Sequence, residues 1–359
     1  MMYKFGVFFG KLFVFSFFIV IFICCAYAVP KISASSAILI NADNGDVLFE
    51  QNANEKRGMA STTKIMTALL AIEHGNLDEE YVIPDEAIGV EGSSLYLKQG
   101  EMLSMRELII GLMLQSANDA AEAIAIIISG DIDSFVELMN QKALSLGLSN
   151  THFTNPHGLS DDDHYTTAKD LASLSAYALK NPLFKEICST KKANIGNDDS
   201  TRYLSNHNKM LNIYDGACGV KTGFTKATGR CLVSAASRNS VNLIAVTLNA
   251  PDDWNDHSLM LDYGFETLES VTLVNRGDFI CELPIIGGES DTVPVYTKNS
   301  LSVILKKSRN SIVMRIEMIY PKFAPVFKGD EVGRVVFFLD GVEIASTPLC
   351  IANHVKNKN

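Results

Sequence analysis

No C-x-x-C pair and no cluster of histidines occurs in this chain, so the usual sequence signs of a metal site are missing. Cysteine is scarce. Seven occur in 359 residues, and two of them, Cys24 and Cys25, lie near the start. The other five, Cys188, Cys218, Cys231, Cys281 and Cys350, are odd in number and widely spaced. That excludes a disulfide framework and leaves free, partly buried thiols as the expectation. A basic surplus is also missing. Lysine and arginine number 31 against 41 acids, for a net charge of −10. An acidic surface repels phosphate backbones, so no nucleic-acid partner is expected. Internal repeats and low-complexity linkers are absent, and no motif calls for a cofactor.

What is present is an ordinary globular balance, 47% hydrophobic and 20% charged, with enough apolar residues for a large core. The length argues for about two or three domains. Lys4 and Lys11 precede an apolar run from Leu12 to Cys25, followed by Ala26-Tyr27-Ala28. A basic start, an apolar middle and a small-residue cut site make residues 1–28 a secretory signal. The alternative is an uncleaved anchor, since residues 12–28 sit at the short edge of what crosses a bilayer. Either way the remainder is expected outside the cytoplasm, and membrane association would run through the N-terminus. Residues 1–28 carry two lysines and no acid, so the remainder carries −12.

Turn formers over residues 41–46 separate two short apolar runs, 37–40 and 47–50, which reads as a β-hairpin. Residues 61–74 are apolar on most sides and stop at Gly75-Asn76, as a buried helix would. Periodicity predicts further helices over 105–114, 119–128, 135–146, 167–179 and 259–268, and a second hairpin over 231–236 and 241–248. Past residue 270 the helical periods vanish. Ile312, Met314, Ile316 and Met318 alternate at the strand period, and Asp340-Gly341 joins two apolar runs as a tight hairpin. The expected division is a signal (1–28), a first domain (29–269), a mostly β domain (270–353) and a polar tail (354–359). That tail has no amphipathic helix able to lie on a membrane.

Three short motifs occur in order: Ser61-Thr62-Thr63-Lys64, Ser116-Ala117-Asn118 and Lys221-Thr222-Gly223. The first two are weak alone. Ser189-Thr190-Lys191-Lys192 also fits S-x-x-K, and S-x-N recurs at Ser237, Ser240 and Ser308. The ordered set carries the specificity. Ser61 and Lys64, three apart at a helix start, share one face. A serine hydroxyl is a poor nucleophile until a base takes its proton, and a lysine is that base only when neutral. Burial and a neighbouring cation supply that condition, and a helix N-terminus favours the developing oxyanion. Taken singly, Ser61 also reads as a plain helix-start residue. Ser116 and Asn118 lie between two helices, where they could line a cleft or simply cap a helix. Lys221 and Thr222 could bind a carboxylate from a strand, with Gly223 allowing close backbone approach, or the strand could end in an ordinary turn.

With their surroundings, these motifs resemble the penicillin-recognising serine peptidases, and among them the low-molecular-weight D-alanyl-D-alanine carboxypeptidases, peptidase family S11. The matching stretches are residues 59–68, Gly92-Ser93-Ser94-Leu95, residues 116–121, Asn155-Pro156-His157-Gly158-Leu159 and residues 219–225. The resemblance spans roughly 34–353. It implies an α+β fold: a serine β-lactamase/D,D-peptidase-like domain, with an antiparallel sheet flanked by helices, then a small mostly β domain. It also implies an acyl-enzyme mechanism on peptidoglycan stem peptides, with β-lactams as inhibitors. Ser61 would be the nucleophile, Lys64 the proton acceptor and Ser116 a relay. Asn118 would hold the substrate amide, Lys221 with Thr222 the carboxylate, and the N–H groups of Ser61 and Phe224 the oxyanion. Two features depart from the pattern. Phe224 stands where some relatives have histidine, and residues 252–257 lack an arginine that relatives often use for the carboxylate.

A class A β-lactamase shares the motifs but needs a glutamate in a Glu-x-x-Leu-Asn loop. Glu137-Leu138-Met139-Asn140 does not match, and Glu122 and Glu186 lack the pattern. A transpeptidase of the superfamily would usually be longer. A dead binding protein would be expected to have lost Ser61 or Lys64.

Overall fold

The computed structural model describes residues 29–196, 201–309 and 311–358. The signal expected over residues 1–28 lies outside them, as does Asn359.

β1 (Ser36–Asn41) and β2 (Val47–Gln51) form the first hairpin. A 3-10 turn (Ala60–Thr63) leads into α1 (Lys64–His74). The small hairpin β3 (Glu80–Val82) and β4 (Met102–Ser104) precedes five helices. These are α2 (Met105–Leu114), α3 (Asn118–Ser129), α4 (Ile132–Ser145), α5 (Ala168–Ala178) and α6 (Pro182–Ser189). A second small hairpin, β5 (Lys192–Ile195) with β6 (Arg202–Ser205), and the single turn α7 (Met210–Ile213) follow. The domain closes with β7 (Ala217–Thr225), β8 (Gly229–Arg238), β9 (Val241–Leu248) and α8 (Asp253–Thr267).

One antiparallel sheet, in the order β2-β1-β9-β8-β7, organises this domain. Its central strands read as continuous apolar runs because both faces are covered. Ile38, Ile40, Val233, Ile244 and Val246 face the core built with α1 to α6. Ala37, Leu39, Leu232, Leu243 and Ala245 face the other side, against Met260 and Leu261 of α8. α1 is sunk in the first core, with every residue from Lys64 to Ala71 buried. β7 is the sheet's last strand, so one of its edges is free of strand partners among the described residues.

Differences from the sequence-based expectations have local causes. The first turn of the expected 61–74 helix is 3-10. Asn181-Pro182, read as a stop, also starts α6: the Asn181 side chain accepts from Leu183 and Phe184 N–H, and proline occupies the first turn. α8 begins at Asp253, ahead of the expected 259, because its first turn is polar and shows no apolar period. The capping alternative for Ser116 and Asn118 does not hold. The residue before α3 is Ala117, which makes no side-chain cap.

The β unit begins at Leu268, directly after α8. β10 (Leu268–Val274) pairs with β13 (Leu301–Lys306). The other strands are β11 (Phe279–Ile286), β12 (Thr292–Thr297), β14 (Val313–Met318), β15 (Lys322–Phe323), β16 (Glu331–Leu339) and β17 (Val342–Ile351). They form one sheet in the order β14-β16-β17-β12-β11-β15. Asp340 and Gly341 join β16 to β17 with φ of 52° and 81°, the left-handed conformation a two-residue hairpin needs. Residues 354–358, expected as a polar tail, belong to this unit. Val355 is buried and pairs with Val326, and Lys358 N–H donates to the Gly287 carbonyl.

Candidate active site

Ser61 sits in the 3-10 turn that opens α1. Ala60 holds φ at 47°, a left-handed conformation that costs a non-glycine residue on the order of 1–3 kcal/mol unless its surroundings impose it. Two glycines supply those surroundings. A Cβ on Gly158 would lie 1.9 Å from the Ala60 carbonyl oxygen, and one on Gly223 would lie 3.0 Å from Ser61 N. The turn is thus pressed between the segment after α4 and strand β7.

Lys64 is fully buried and has three partners. Its Nζ lies 3.1 Å from Ser61 Oγ, 2.7 Å from Asn118 Oδ1 and 2.6 Å from the His157 carbonyl oxygen. The Asn118 amide orientation is fixed, because its Nδ2 donates to the Glu91 carbonyl at 2.6 Å. Two of the three partners can therefore only accept. A neutral lysine has two N–H groups and one lone pair. Its two N–H groups match Asn118 and His157, and its lone pair is left for the hydroxyl of Ser61. Burial, then the charge of Lys221, hold the Lys64 pKa well below its ordinary value, against a smaller opposing pull from Asp119. Geometry and electrostatics agree on a base poised on Ser61.

Lys221, on β7, is also buried. Its Nζ donates to the Thr222 carbonyl at 3.0 Å, and burial lowers its pKa to about 7. Ser116 is buried between α2 and α3 with φ at 61°, a second strained non-glycine residue at the site. Phe224 is 63% exposed on β7, so its ring is not part of the buried cluster. Asn118, expected to hold the substrate amide, has its oxygen and one amide hydrogen engaged inside the protein.

Several residues that shape the site had no assigned role in the sequence reading. Asp119 accepts from the N–H groups of Leu95 and Leu97, the hydroxyl of Ser94 and its neighbour Ala120 N–H. It thereby ties the start of α3 to the loop over residues 92–97. His164 Nδ1 accepts from Thr154 N–H at 3.0 Å, which leaves its Nε2 hydrogen for Thr63 Oγ1 at 2.7 Å. The Thr63 hydroxyl in turn donates to the Ala60 carbonyl at 2.8 Å. Burial keeps His164 neutral, with its pKa at about 4. The signals were in view, since residues 92–95 and 155–159 are among the matching stretches. Neither stretch announces that 92–95 is tied to Asp119 or that the His157 carbonyl meets Lys64. Residues 252–257, which lack the arginine, are met instead by Arg230 of β8, which is engaged there with acid and ring. Its Nε donates to Asp253 Oδ1 at 2.9 Å, and its guanidinium lies 5.5 Å from the Trp254 ring centroid. Of the glutamates weighed as water activators, Glu122 is half-buried on α3, and Glu137 and Glu186 are exposed on α4 and α6. No cluster of three or more metal-ligating side chains occurs among the described residues.

Comparison with known proteins gives two adjoining matches. The D-alanyl-D-alanine carboxypeptidase family, peptidase S11, matches residues 24–252. The C-terminal domain of penicillin-binding protein 5 matches residues 268–357. D-alanyl-D-alanine carboxypeptidase DacF of Bacillus subtilis is 34% identical over 334 residues, 90% of this chain and 86% of that relative. DacA of Escherichia coli K12 is 31% identical over 351 residues, 92% of this chain and 86% of its own length. Among solved structures, penicillin-binding protein 5 of Haemophilus influenzae superposes with a TM-score of 0.66 at 30% identity, covering 91% of this chain and 99% of that one.

Proposed function

The chain belongs to the D-alanyl-D-alanine carboxypeptidase family, peptidase S11, and from that premise we propose how its residues divide the chemistry. The protein is a serine-type D-alanyl-D-alanine carboxypeptidase of cell-wall metabolism and a penicillin-binding protein. Its catalytic serine is Ser61. Neutral Lys64 takes the hydroxyl proton as Ser61 Oγ attacks the carbonyl carbon between the two terminal D-alanines. The N–H groups of Ser61 and Phe224 receive the oxyanion. Lys64 returns the proton, with Ser116 as relay, to the nitrogen of the departing D-alanine. Water then attacks the ester, with Lys64 again as base, and frees Ser61. Lys221 and Thr222 hold the terminal carboxylate, and Asn118 orients the substrate amide. A β-lactam enters the same path and stops at the ester.

The observation that carries this reading is the Lys64 amine, held by two pure acceptors and facing the Ser61 hydroxyl. D-alanine release from a pentapeptide tests it. The wild-type chain is expected to release it and Ser61→Ala to release none, and release by Ser61→Ala would refute the assignment.

The enzyme works in the cell envelope. We propose export with cleavage after Ala28, so that N-terminal sequencing of the exported protein reads Val29 first. An intact Met1 in the membrane fraction would contradict this. No helix among the described residues is long and apolar enough to cross a membrane. The β unit carries none of the three motifs, and its proposed role is placement of the enzyme.

A further inference from the structure

The proposed mechanism gives the Ser61 N–H to the oxyanion, and that N–H shares a peptide unit with the Ala60 carbonyl. The bond between them is trans. In a trans peptide the C=O and N–H point in opposite directions, so what holds the oxygen also aims the hydrogen. Two glycines show how this unit lies. A Cβ on Gly158 would meet the Ala60 oxygen at 1.9 Å, and a Cβ on Gly223 would meet Ser61 N at 3.0 Å. The oxygen thus lies against the segment after α4, and the nitrogen against β7, the strand that carries Phe224. The 3-10 turn does not use the Ser61 N–H itself, since the first N–H groups of a helical turn have no partner within it.

A chain of hydrogen bonds ends on the Ala60 oxygen, and the direction of every link is settled. Thr154 N–H can only donate, so His164 Nδ1, at 3.0 Å, accepts. The one ring hydrogen of the neutral histidine is then on Nε2, 2.7 Å from Thr63 Oγ1. With that oxygen accepting, the Thr63 hydroxyl hydrogen turns to the Ala60 carbonyl, at 2.8 Å. Both side chains are buried, and the Phe153 ring stands edge-on to His164 with centroids 5.8 Å apart. A 3-10 turn also brings its own backbone bond to this carbonyl, from Thr63 N–H. The side-chain chain therefore adds to the backbone rather than replacing it. It gives the oxygen a second donor, and buried hydrogen bonds linked in series polarise one another. Electron density drawn to the Ala60 oxygen leaves the Ser61 N–H a stronger donor. The same link helps to hold Ala60 at its strained φ of 47°.

We infer that His164 is a positioning residue for the oxyanion: through the Thr63 hydroxyl and the Ala60 carbonyl it holds and polarises the Ser61 N–H. Its hydrogen bonds go to Thr63 and Thr154, not to the Ser61 hydroxyl, Lys221 or Thr222. Its loss should therefore weaken transition-state binding and leave ground-state affinity in place.

This inference rests on the Ser61 N–H as an oxyanion donor of the proposed mechanism, and the experiment separates the two. Penicillin acylation, pentapeptide turnover and inhibition by a boronic acid analogue of acyl-D-alanine are measured. The tetrahedral boronate formed on Ser61 puts an oxygen where the oxyanion develops. Losing a whole oxyanion donor costs about a hundredfold or more in kcat, so weakening one should cost about tenfold. His164→Leu and Thr63→Val fill the volume without the link. Each is expected to lose about tenfold in acylation rate, kcat and boronic acid affinity, with KM within about twofold. His164→Gln carries an amide N–H to the place of Nε2, and Thr63→Ser keeps the hydroxyl, so both should recover most of the rate. His164→Leu/Thr63→Val should be no slower than the slower single variant, because both changes break one chain. Should either single variant fail to fold, His164→Phe or Thr63→Cys takes its place. Wild-type rates in the Leu and Val variants, a Gln variant no better than Leu, additive losses in the double variant, or unchanged boronic acid affinity beside a reduced kcat would each overturn the inference. A wild type that the boronic acid does not inhibit, or a Ser61→Ala variant that still forms the penicillin adduct, would instead overturn the underlying reading.

Discussion

Replacing Asp119 by asparagine should make the enzyme less stable and its acylation less dependent on high pH, two effects with separate causes. The carboxylate is buried at the start of α3. Its Oδ2 accepts from Ser94 Oγ at 2.6 Å, Leu95 N–H at 2.9 Å and Leu97 N–H at 3.2 Å. Its Oδ1 accepts from Leu95 N–H at 3.0 Å and Ala120 N–H at 2.9 Å. An amide NH2 must replace one of these oxygens, and it meets backbone donors on either side, with only the Ser94 hydroxyl able to turn and accept. The milder choice is the Oδ1 side, where Leu95 keeps Oδ2 and Ala120 N–H is stranded. One buried unsatisfied group costs about 1–3 kcal/mol, and bonds that lose their charge assistance weaken as well. The sum is roughly 2–5 kcal/mol, which for a domain of this size lowers Tm by roughly 5–15 °C. The negative charge of Asp119 also raises the Lys64 pKa. Removing it lowers that pKa further, so the fraction of neutral Lys64 grows at a given pH. The rising limb of acylation should move to lower pH. Thermal unfolding and penicillin acylation rates from pH 5 to 9 decide the matter. An unchanged Tm would refute the bonding argument, and a limb that moves to higher pH would refute the electrostatic one.

Two further outcomes follow from the same geometry. In the proposed mechanism Lys221 binds the substrate carboxylate as a cation, and burial brings its pKa to about 7 in the free enzyme. Affinity for the pentapeptide should then be full below that value and weaken as pH rises through it, seen as a rising KM, while flat KM to pH 9 would contradict the role. The Phe224 ring is exposed, and the proposed mechanism uses only its N–H. Phe224→Ala should therefore keep penicillin acylation within about threefold of wild type, and a loss of a hundredfold would show that the ring itself takes part.

Much of this site is readable along the chain, and the unread part has a common cause. Ser61 and Lys64 lie three apart, and Asp340-Gly341 has one cheap conformation, so local rules reach them. The hydrogen bonds that fix the amine of Lys64 join residues 54 and 93 positions away. No local period encodes such a pairing. The same holds for Gly158, whose lack of a side chain matters only because Ala60 lies against it. Proline at 182 was ambiguous for another reason: it ends one helix and opens the next, and only the Asn181 cap tells the two apart. The motif Ser116-Ala117-Asn118 looked like a cap by composition. In the fold its first residue adopts a strained conformation and its last faces Lys64, the reverse of what capping propensity favours.

The central claim is that Ser61 carries the acyl group and Lys64 activates it. Intact-mass spectrometry after exposure to benzylpenicillin tests it most directly. The account predicts one adduct of the full penicillin mass on the wild type and none on Ser61→Ala. Lys64→Ala should acylate about a hundredfold or more slowly, in line with the loss of a general base. An adduct that persists in Ser61→Ala, or forms at the wild-type rate in Lys64→Ala, would contradict it.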